Sequence, residues 1–565
     1  MIESNSVEVG SGELGSDGPS SPSLATSAIE SFAAALERPR ALTLTLAVSL
    51  ALMVRIVGLG ASGFSEDEIN KLRAVESYSR FDFTANAEHP MLMKLADWAS
   101  VSVAERWNSH PALRAITTVS PEAAIRFPNA VAGAAISLLI FLLAEMLFDT
   151  AVAAWASMLW ALDVNAAAIN RIGKEDTFLL LFLLLAAYFY ERGKTAGDAE
   201  AVQRRRWFMA SGGSFGLMLA SKYMPHYFGL HTLFNIAADR NPPDDAPDKG
   251  MSFFAAMAGL FVAANFTILL PDTWRYMVGY IQGDTMRHSG YYFAHHIYVN
   301  TIATTPGGLP PTFYAIFFLT KVPLVVLAAA GVGVIWAARH PTDRGATFLR
   351  VFLVFTLLPY SLANGKFLRY MLPVLAVVDI AAAVGIARLL RRVDALPRRA
   401  ARDLAAAAVV CSAIAAPLWQ QISTAPYYGL AENALGARFA PRGWLFPDDE
   451  FYDAGVREAV QAIARVAAPG AAICSDATSV VREYLDRNGR ADVASCSMAH
   501  DGLPTARIEK WVVAQDAHTY FENAAVLNLL RRAPPWLEIS VGGAVAAEVF
   551  RLPGPAEEVV RAQLP

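Results

Sequence analysis

Long apolar segments recur along most of this chain, and they constrain its fold more than any other feature. A helix that crosses a membrane needs about 20 mostly apolar residues, and about eleven such candidates occur between residues 41 and 420 by this length criterion. The candidates are residues 41–59, 127–147, 151–169, 176–191, 207–222, 225–238, 251–270, 313–337, 347–363, 368–390 and 403–420. The sequence therefore predicts a polytopic α-helical membrane protein.

The composition supports this fold class and excludes several others. Charged residues make up only 17% of the chain, whereas soluble domains carry about 25%. The 47 basic and 51 acidic residues leave a net charge of −4, which excludes a nucleic-acid binder that works by bulk charge. Three cysteines in 565 residues exclude a disulfide scaffold and a cysteine-rich zinc module.

The two ends of the chain differ from its apolar middle. Residues 1–36 are predicted to form a disordered cytoplasmic tail, because Ser, Gly, Glu and Asp cannot offset the entropy cost of ordering. Residues 37–425 would form the transmembrane domain. Residues 440–565 are predicted to form a separate soluble α/β domain, because segments such as AAICSD and KWVVAQD are typical of strands and TSVVREYLDRNG of a helix.

Basic residues in the short loops predict the orientation. With Arg38 and Arg40 in the cytoplasm, the arginine-rich loops near residues 192–206, 339–344 and 388–402 also fall inside, as the positive-inside rule requires. The large polar loops 60–126 and 271–312 and the C-terminal domain then lie outside. We expect a multi-pass protein of a bacterial inner membrane with a periplasmic C-terminal domain.

The first external loop begins with three acidic residues, Glu66, Asp67 and Glu68. Helical segments are predicted around residues 66–80 and 91–107 of this loop. Acidic residues are favoured in the first turn of a helix by its dipole, so capping alone could account for the cluster. One acid would suffice for capping, which leaves a catalytic carboxylate as the alternative.

The same loop continues with Glu88 and His89, followed by Lys94 on the next helix. A capped interfacial helix with a snorkelling lysine explains this pattern without chemistry. A carboxylate and an imidazole at a membrane surface also suit a divalent metal ion. Glu88 and His89 are therefore the candidate metal ligands, although two residues do not make a complete site.

Basic residues also occur near the ends of the predicted spans. Arg171 lies in the crowded external turn NRIGKEDTF, Lys222 in ASKYMPHYFG, and Lys366 and Arg369 in NGKFLRYMLP. Ionisable groups at membrane depth are costly and usually face a cavity. Each could be explained by snorkelling to the surface, but together they could bind a phosphate.

Two further features belong to the external parts of the chain. The string HSGYYFAHHIYVN places His288 and Tyr292 in a loop that suits a sugar-binding surface better than a metal site. Cys474 and Cys496 are both predicted outside, where a disulfide is permitted. Separate buried thiols are the interpretation that we favour for this pair.

Several of these strings occur together in an order that resembles a known family. The chain resembles the C-type (GT-C) glycosyltransferase superfamily, specifically the dolichyl-phosphate-mannose protein mannosyltransferases and their bacterial relatives, including the lipid A aminoarabinose transferases. The motifs that carry the resemblance are Asp67-Glu68, EHPMLMKL, RFPNAVAG, NRIGKEDTFLLLF, ASKY, FYAIFFLTKVPL and SLANGKFLRYMLP. They span residues 40–420, and in EHPM Met91 replaces the second proline of the family stretch.

The resemblance implies a reaction. Members transfer a sugar from a polyprenyl-phosphate donor to an acceptor hydroxyl on the non-cytoplasmic face of the membrane. Asp67 matches the family's catalytic acid and would take the acceptor's proton in an inverting transfer, with Glu68 as the reserve candidate. Lys366 and Arg369 would stabilise the departing phosphate.

The remaining candidate residues would bind substrate around this centre. Arg171 and Lys222 would assist at the phosphate, and Glu88 and His89 would shape the acceptor side or hold a divalent ion. Lys94, His288 and Tyr292 complete the predicted substrate-binding set. The implied partners are the lipid-linked sugar, membrane lipids, an acceptor (protein, lipid or glycan) and other subunits of a membrane complex.

Two other functions compete with the transferase. A non-catalytic scaffold subunit of a membrane complex would keep the fold without the reaction, and the altered EHPM stretch leaves this open. A lipid or sugar transporter would share the apolar spans and intramembrane charges, but it does not explain the long acidic loop or the external domain. Transporters also often show paired halves or broken helices, which this sequence does not.

Overall fold

The computed structural model describes residues 40–196, 201–239, 247–282, 290–301, 305–503 and 509–552. The predicted tail, residues 1–36, lies outside these ranges. The chain divides into two compact units, Met1–Leu42 and Thr43–Pro565. Of the first unit the structure describes residues 40–42, which begin helix α1.

Helices make up most of the described chain up to residue 424. In the first half they are α1 (Arg40–Ile56), α2 (Glu66–Tyr78), α3 (Leu92–Ser109), α4 (Pro111–Ile116), α5 (Pro121–Leu147), α6 (Thr150–Leu162), α7 (Val164–Asn170), α8 (Asp176–Thr195), α9 (Ala201–Ser221), α10 (His226–Ala238), α11 (Pro247–Ala264) and α12 (Pro271–Gln282). After a short hairpin of β1 (Tyr291–Phe293) and β2 (His296–Tyr298), they continue as α13 (Phe313–Lys321), α14 (Leu324–Arg339), α15 (Arg344–Leu362), α16 (Leu372–Asp394) and α17 (Arg399–Thr424). The two helices predicted for the first external loop are confirmed as α2 and α3.

Fewer helices meet the length and apolarity of a membrane span than the sequence predicted. Among the described residues four do so, and a fifth counts if the bent pair α6–α7 forms one span. The four are Pro121–Leu147, Arg344–Leu362, Leu368–Asp394 and Arg399–Thr424. The polytopic character is confirmed, whereas the count of about eleven is not reached.

Local breaks explain part of this difference. The predicted span 151–169 bends by 61° between α6 and α7, because the Asp163 carboxylate accepts the Asn165 and Ala166 N–H groups and starts a new helix. The predicted span 313–337 is interrupted at Val322–Pro323. A proline cannot donate the backbone hydrogen bond that would continue the first helix.

Close helix contacts hold the centre of the bundle together. Helix α16 is almost entirely buried along its apolar window, at 94%. It crosses α14 at two glycines, since a Cβ added at Gly333 or Gly385 would lie 2.0 Å from a carbonyl oxygen of the facing helix. The two backbones approach this closely only because neither residue has a side chain.

After residue 436 the chain forms short helices and a five-stranded sheet. The helices are α18 (Gly436–Phe439), α19 (Pro447–Phe451), α20 (Val456–Ala464), α21 (Thr478–Arg487) and α22 (Ala524–Leu530), and the strands are β3 (Ala472–Cys474), β4 (Ala494–Cys496), β5 (Lys510–Ala514), β6 (Leu537–Val541) and β7 (Ala544–Leu552). The strand order is β4-β3-β5-β7-β6, with β3 parallel to both neighbours. The predicted strands and the predicted helix are confirmed, and β6 is an addition.

The sheet region packs against the first external segment. Its core includes Phe64, Ile69 and Leu72 from that segment and Ile125 of α5. The Tyr484 hydroxyl accepts the Phe64 N–H at 2.7 Å and donates to the Glu122 carboxylate at 2.8 Å. One apolar core therefore fixes the sheet region to the segment that carries Asp67.

Our preference for separate thiols at Cys474 and Cys496 was wrong, because the two residues form a disulfide. The parallel register of β3 and β4 sets them directly opposite each other. Their Cα atoms are 4.5 Å apart, within the range that a disulfide spans. The sequence spacing alone did not reveal this register.

Candidate functional site

The start of helix α2 separates the roles of its two acidic residues. Ser65 caps the helix, its hydroxyl accepting the Glu68 N–H at 3.3 Å, and the Glu68 carboxylate accepts the Ser65 N–H at 3.0 Å. This reciprocal capping box fixes Glu68 against the helix start. Asp67 takes no part in this cap and contacts Lys174 instead.

Glu68 is fully buried and has no free oxygen. The Arg126 guanidinium binds both of its carboxylate oxygens, at 2.7 and 2.6 Å, and the Gly173 N–H donates to it at 2.9 Å. A bidentate ion pair of this kind holds α2, α5 and the turn after α7 together. Glu68 therefore fits a structural role better than its predicted place as the reserve base.

Asp67 is held by groups from two distant parts of the chain. One carboxylate oxygen lies 2.7 Å from Lys174 Nζ, and the other accepts the Tyr452 hydroxyl at 2.9 Å. Burial opposes ionisation of Asp67, but Lys174 and Arg369 outweigh burial and hold its pKa below the usual range. The side chain remains 34% exposed, so an ionised carboxylate is open to a substrate.

Tyr452 reaches Asp67 from a strained stretch of backbone. Tyr452 and Asp453 both have positive φ, 49° and 62°, and consecutive non-glycine residues rarely adopt this region. Asp453 accepts the Glu66 N–H at 2.8 Å, and its other oxygen binds His518. The hydrogen bonds of Tyr452 to Asp67, and of Asp453 to the Glu66 N–H and to His518, therefore hold this left-handed turn in place.

Two further cations belong to this region, since Arg369 lies within electrostatic range of Asp67 and Lys222 within range of Arg369. Lys222 Nζ is 2.6 Å from an oxygen of Asp176 and 4.9 Å from the Tyr370 ring centre. The Arg369 guanidinium stacks over Phe367 at 4.0 Å. Its Nε is buried and donates to no described residue, so it can bind an anion at little cost.

A buried network of charged residues lies next to Asp67 and Lys174. Lys71 Nζ is 2.5 Å from a Glu175 oxygen, and His89 Nδ1 is 3.5 Å from the same atom. Burial lowers the pKa of His89 well below its ordinary value, which keeps the imidazole neutral. His89 thus lies near Asp67, as part of the wall that sets its surroundings.

Three other predicted basic residues are engaged by backbone carbonyls. Lys94 donates to the carbonyls of residues 85, 86 and 89, at 2.5–3.4 Å. Arg171 donates to four carbonyls at the end of α1, 2.7–3.1 Å away. Lys366 donates to the carbonyls of Leu309 and Ala363. Each anchors a loop or a helix end, and Lys366 is not brought together with Arg369 in the predicted phosphate site.

The remaining predicted residues lie apart from Asp67 or outside the described chain. Glu88 accepts the Asn86 side-chain amide. In the part of the chain that the structure describes, no group of three His, Cys, Asp or Glu residues could hold a metal ion. Tyr292 bonds His295 at 2.8 Å on the β1–β2 hairpin, and His288 lies outside the described residues.

A cavity of about 100 Å³ adjoins this centre. Arg369, Asp449 and Tyr452 line one part of it, and Arg171 and Tyr428 another. Its walls thus come from both the helical bundle and the segment that follows it.

Sequence reasoning missed Lys174, Asp176 and Tyr452 as site residues. Lys174 and Asp176 stand in the crowded turn NRIGKEDTF, where basic residues outside the membrane were an available signal. Tyr452 follows the acidic string PDDEF, but nothing in the sequence indicates that it contacts a residue 385 positions earlier.

The comparisons with known proteins agree with this fold. Residues 112–266 match the family model of the dolichyl-phosphate-mannose-protein mannosyltransferases. None of the curated proteins matches the chain.

Among solved structures, ArnT from Cupriavidus metallidurans in the apo state aligns over 90% of this chain and 98% of its own, with 12% identity and a TM-score of 0.52. The same protein bound to undecaprenyl phosphate gives 13% identity, 91% and 98% coverage and a TM-score of 0.49. An Archaeoglobus fulgidus oligosaccharyltransferase tethered with an acceptor peptide gives 11% identity, 85% and 70% coverage and a TM-score of 0.48. The predicted C-type fold is confirmed, with the family model supporting the mannosyltransferase resemblance over residues 112–266.

Proposed function

We propose that this chain, which has the fold of the C-type glycosyltransferases, transfers a sugar from a polyprenyl-phosphate donor to an acceptor hydroxyl with inversion at the anomeric carbon. The observation that carries the proposal is the geometry of Asp67: a partly exposed, ionised carboxylate held by Lys174 and Tyr452 beside Arg369 and Lys222. This arrangement puts a proton acceptor next to a site for an anionic leaving group. The family model and the polyprenyl phosphate bound to ArnT support the same chemistry.

Asp67 is the proposed general base. As the acceptor oxygen bonds to the anomeric carbon, the proton of its hydroxyl passes to Asp67. General-base assistance contributes about 10²–10⁴-fold to a rate. Tyr452 and Lys174 each bind one carboxylate oxygen and fix the orientation of the group, so that the acceptor meets a preorganised base.

The cations serve the other half of the reaction. The bond between the anomeric carbon and the phosphate oxygen breaks, and its electron pair stays on the polyprenyl phosphate. Arg369 and Lys222 stabilise the charge that grows there. When the donor phosphate binds, it also interacts with Lys174 and Arg369, so these cations stabilise ionised Asp67 less. The pKa of Asp67 then rises toward the ordinary range, which makes Asp67 a better base during the transfer.

We also propose the substrates of the reaction and the side of the membrane on which it occurs. The donor is a polyprenyl-phosphate sugar, the acceptor is a hydroxyl of a protein, lipid or glycan, and the reaction takes place on the non-cytoplasmic face of a bacterial inner membrane. Glu88 and His89 belong to the acceptor side, and no step of the transfer is assigned to a divalent ion. The C-terminal sheet region, in the periplasm, would select the acceptor.

The test measures transfer of radiolabelled sugar from a panel of polyprenyl-phosphate sugars in membranes that contain the wild type or Asp67→Asn. We expect labelled product from the wild type and a loss of at least about 10²-fold in Asp67→Asn. Asp82→Asn is the matched control, because Asp82 is an exposed acid of the same loop whose side chain contacts Thr84. It should transfer at the wild-type rate.

The outcomes separate the competing functions. Equal transfer by the wild type and Asp67→Asn would remove Asp67 as the base. A folded wild type that transfers from no donor in the panel would instead favour a non-catalytic scaffold. Uptake of the lipid-linked sugar across the membrane without a new glycosidic bond would favour a transporter.

A further inference from the structure

At the end of the bundle opposite Asp67, a basic cavity opens between helices α14 and α16. Helix α16 begins three residues after Arg369, and from Leu372 to Arg392 it rises about 30 Å at 1.5 Å per residue. That distance equals the hydrocarbon thickness of a typical bilayer. The cavity therefore lies at the other membrane surface from the proposed transfer site.

The cavity has a volume of about 510 Å³ and two kinds of wall. Val332, Ile335 and Trp336 form an apolar side on α14. The rest is basic, and its guanidinium groups are those of Arg339, Arg388, Arg391 and Arg392. An apolar wall beside clustered arginines matches a molecule with an anionic head and an apolar tail.

The positive charge of this cavity is largely uncompensated by protein groups. Asp149 pairs with Arg391 at 2.5 Å, and among the described residues the other three arginines have no carboxylate within ion-pair distance. The neighbouring Asp343 carboxylate accepts the Ala346 N–H and caps α15. Four guanidiniums therefore face two nearby carboxylates, of which one, Asp149, forms an ion pair.

Arg388 is positioned to bind a ligand. Its guanidinium stacks on the Trp336 ring at 3.9 Å, and its buried Nε donates to no described residue. A second cavity of about 220 Å³ is lined by the same arginine and tryptophan together with Arg391. A buried donor without an acceptor costs free energy, which a bound phosphate oxygen would recover.

We infer that this cavity, lined by Val332, Trp336, Arg388 and Arg392, is a binding site for the phosphate headgroup of an anionic phospholipid. The arginines bind the phosphodiester by charge-assisted hydrogen bonds, and the apolar wall on α14 receives the start of an acyl chain. Basic cavities between spanning helices recognise anionic lipids in this way. The positive-inside rule accounts for basic residues at this surface, but not for a buried, unpartnered donor between two helices.

The test uses the full chain in phosphatidylcholine nanodiscs that contain increasing amounts of brominated phosphatidylglycerol. Bromine quenches tryptophan at short range, and subtracting the signal of a Trp336→Phe variant isolates Trp336. We expect saturable quenching by phosphatidylglycerol and little by brominated phosphatidylcholine. Arg388→Gln with Arg392→Gln should lower the apparent affinity about tenfold or more.

The matched control is Arg398→Gln with Arg399→Gln. It removes the same charge at the start of helix α17, and neither residue lines the cavity. We expect its affinity to stay within about twofold of the wild type. Equal losses in the two double variants would overturn the proposal, because they would report general attraction to the surface.

Two further results bear on the ligand. If inorganic phosphate displaced quenching at low millimolar concentration and lipid charge had no effect, the site would bind a soluble anion and the lipid assignment would fail. If the cavity variant does not fold, phosphatidylglycerol retained by the purified wild type is measured by native mass spectrometry. Retention that shows no preference for phosphatidylglycerol over phosphatidylcholine would also contradict the proposal.

Discussion

Replacing Lys174 with methionine tests how the electrostatics of the site control Asp67. Lys174 Nζ lies 2.7 Å from the Asp67 carboxylate and is the strongest of the cations that lower its pKa. An opposite charge at this range lowers the pKa of a carboxyl group by about 1–3 units. Since Asp67 is one-third exposed, the ion pair is partly screened; in Lys174→Met, of Lys174 and Arg369 only Arg369 would remain to oppose the effect of burial, and the Asp67 pKa would rise.

The sign of the effect follows from the role of Asp67. The free enzyme needs ionised Asp67, so kcat/KM falls as the pH drops through the Asp67 pKa. In the wild type this pKa is depressed, and the fall occurs only at strongly acid pH. In Lys174→Met we expect the acid limb to move up by about 1–3 pH units, toward the ordinary range of a carboxyl group.

The assay is kcat/KM for sugar transfer between about pH 4 and pH 8. Lys174→Arg keeps the charge and should leave the acid limb in place. Lys194→Met removes another ion-paired lysine, which contacts Asp239 at the far end of α8, and should also leave it in place. An acid limb that does not move in Lys174→Met would refute this account of Asp67.

Folding stability gives a check that needs no substrate. A carboxyl group with a depressed folded-state pKa stabilises the protein above its unfolded pKa, and this contribution is lost as the pH falls through the folded value. Lys174→Met removes the contribution. Its unfolding temperature should therefore fall further below wild type at neutral pH than at about pH 3.

The remaining predictions concern stability. Glu68→Gln leaves the buried Arg126 guanidinium without its charged partner and should destabilise the fold by about 3–5 kcal/mol, whereas Asp82→Asn, at an exposed acid of the same loop, should melt within a few degrees of wild type; similar melting of the two would contradict the structural role of Glu68. Gly385→Ala forces a Cβ to 2.0 Å from the Ala329 carbonyl oxygen and should lower the melting temperature, while Gly331→Ala, which meets nothing within 4 Å, should not; the reverse order would show that α14 and α16 are not in tight contact. Reducing the Cys474–Cys496 disulfide should destabilise the sheet region by about 2–4 kcal/mol, and a Cys411→Ser variant, read by the same thermal scan, should match wild type.

Local sequence patterns predicted the parts of this fold that depend on local physics. Apolar length predicted the helical bundle, and strand and helix signals located β3, β5 and α21. Among the described residues fewer helices than predicted meet the length and apolarity of a span, partly because helices break at Asp163 and Pro323, where capping and proline effects act within apolar runs. Segment length alone does not register these breaks.

The site was predicted only in part, for a related reason. Asp67 was chosen because it matches the catalytic acid of the family that the chain resembles, and Arg369 because ionisable groups at membrane depth are costly. The difference between Asp67 and Glu68 depends on a capping box and on Arg126, 58 positions away. Tyr452 depends on how the last quarter of the chain docks, and that contact leaves no pattern in a single sequence.

The distance between Asp67 and Tyr452 along the chain has a consequence for biosynthesis. The two residues are separated by 385 positions, and ribosomes add about 5–20 residues per second. Roughly 20–80 seconds therefore pass between the emergence of Asp67 and that of its tyrosine partner. During this interval the helical bundle can insert into the membrane before the Asp67 carboxylate has its hydrogen-bond partner, Tyr452. A polypeptide that terminates before Tyr452 would lack part of the proposed site, so the order of translation delays completion of that site until Tyr452 has been made.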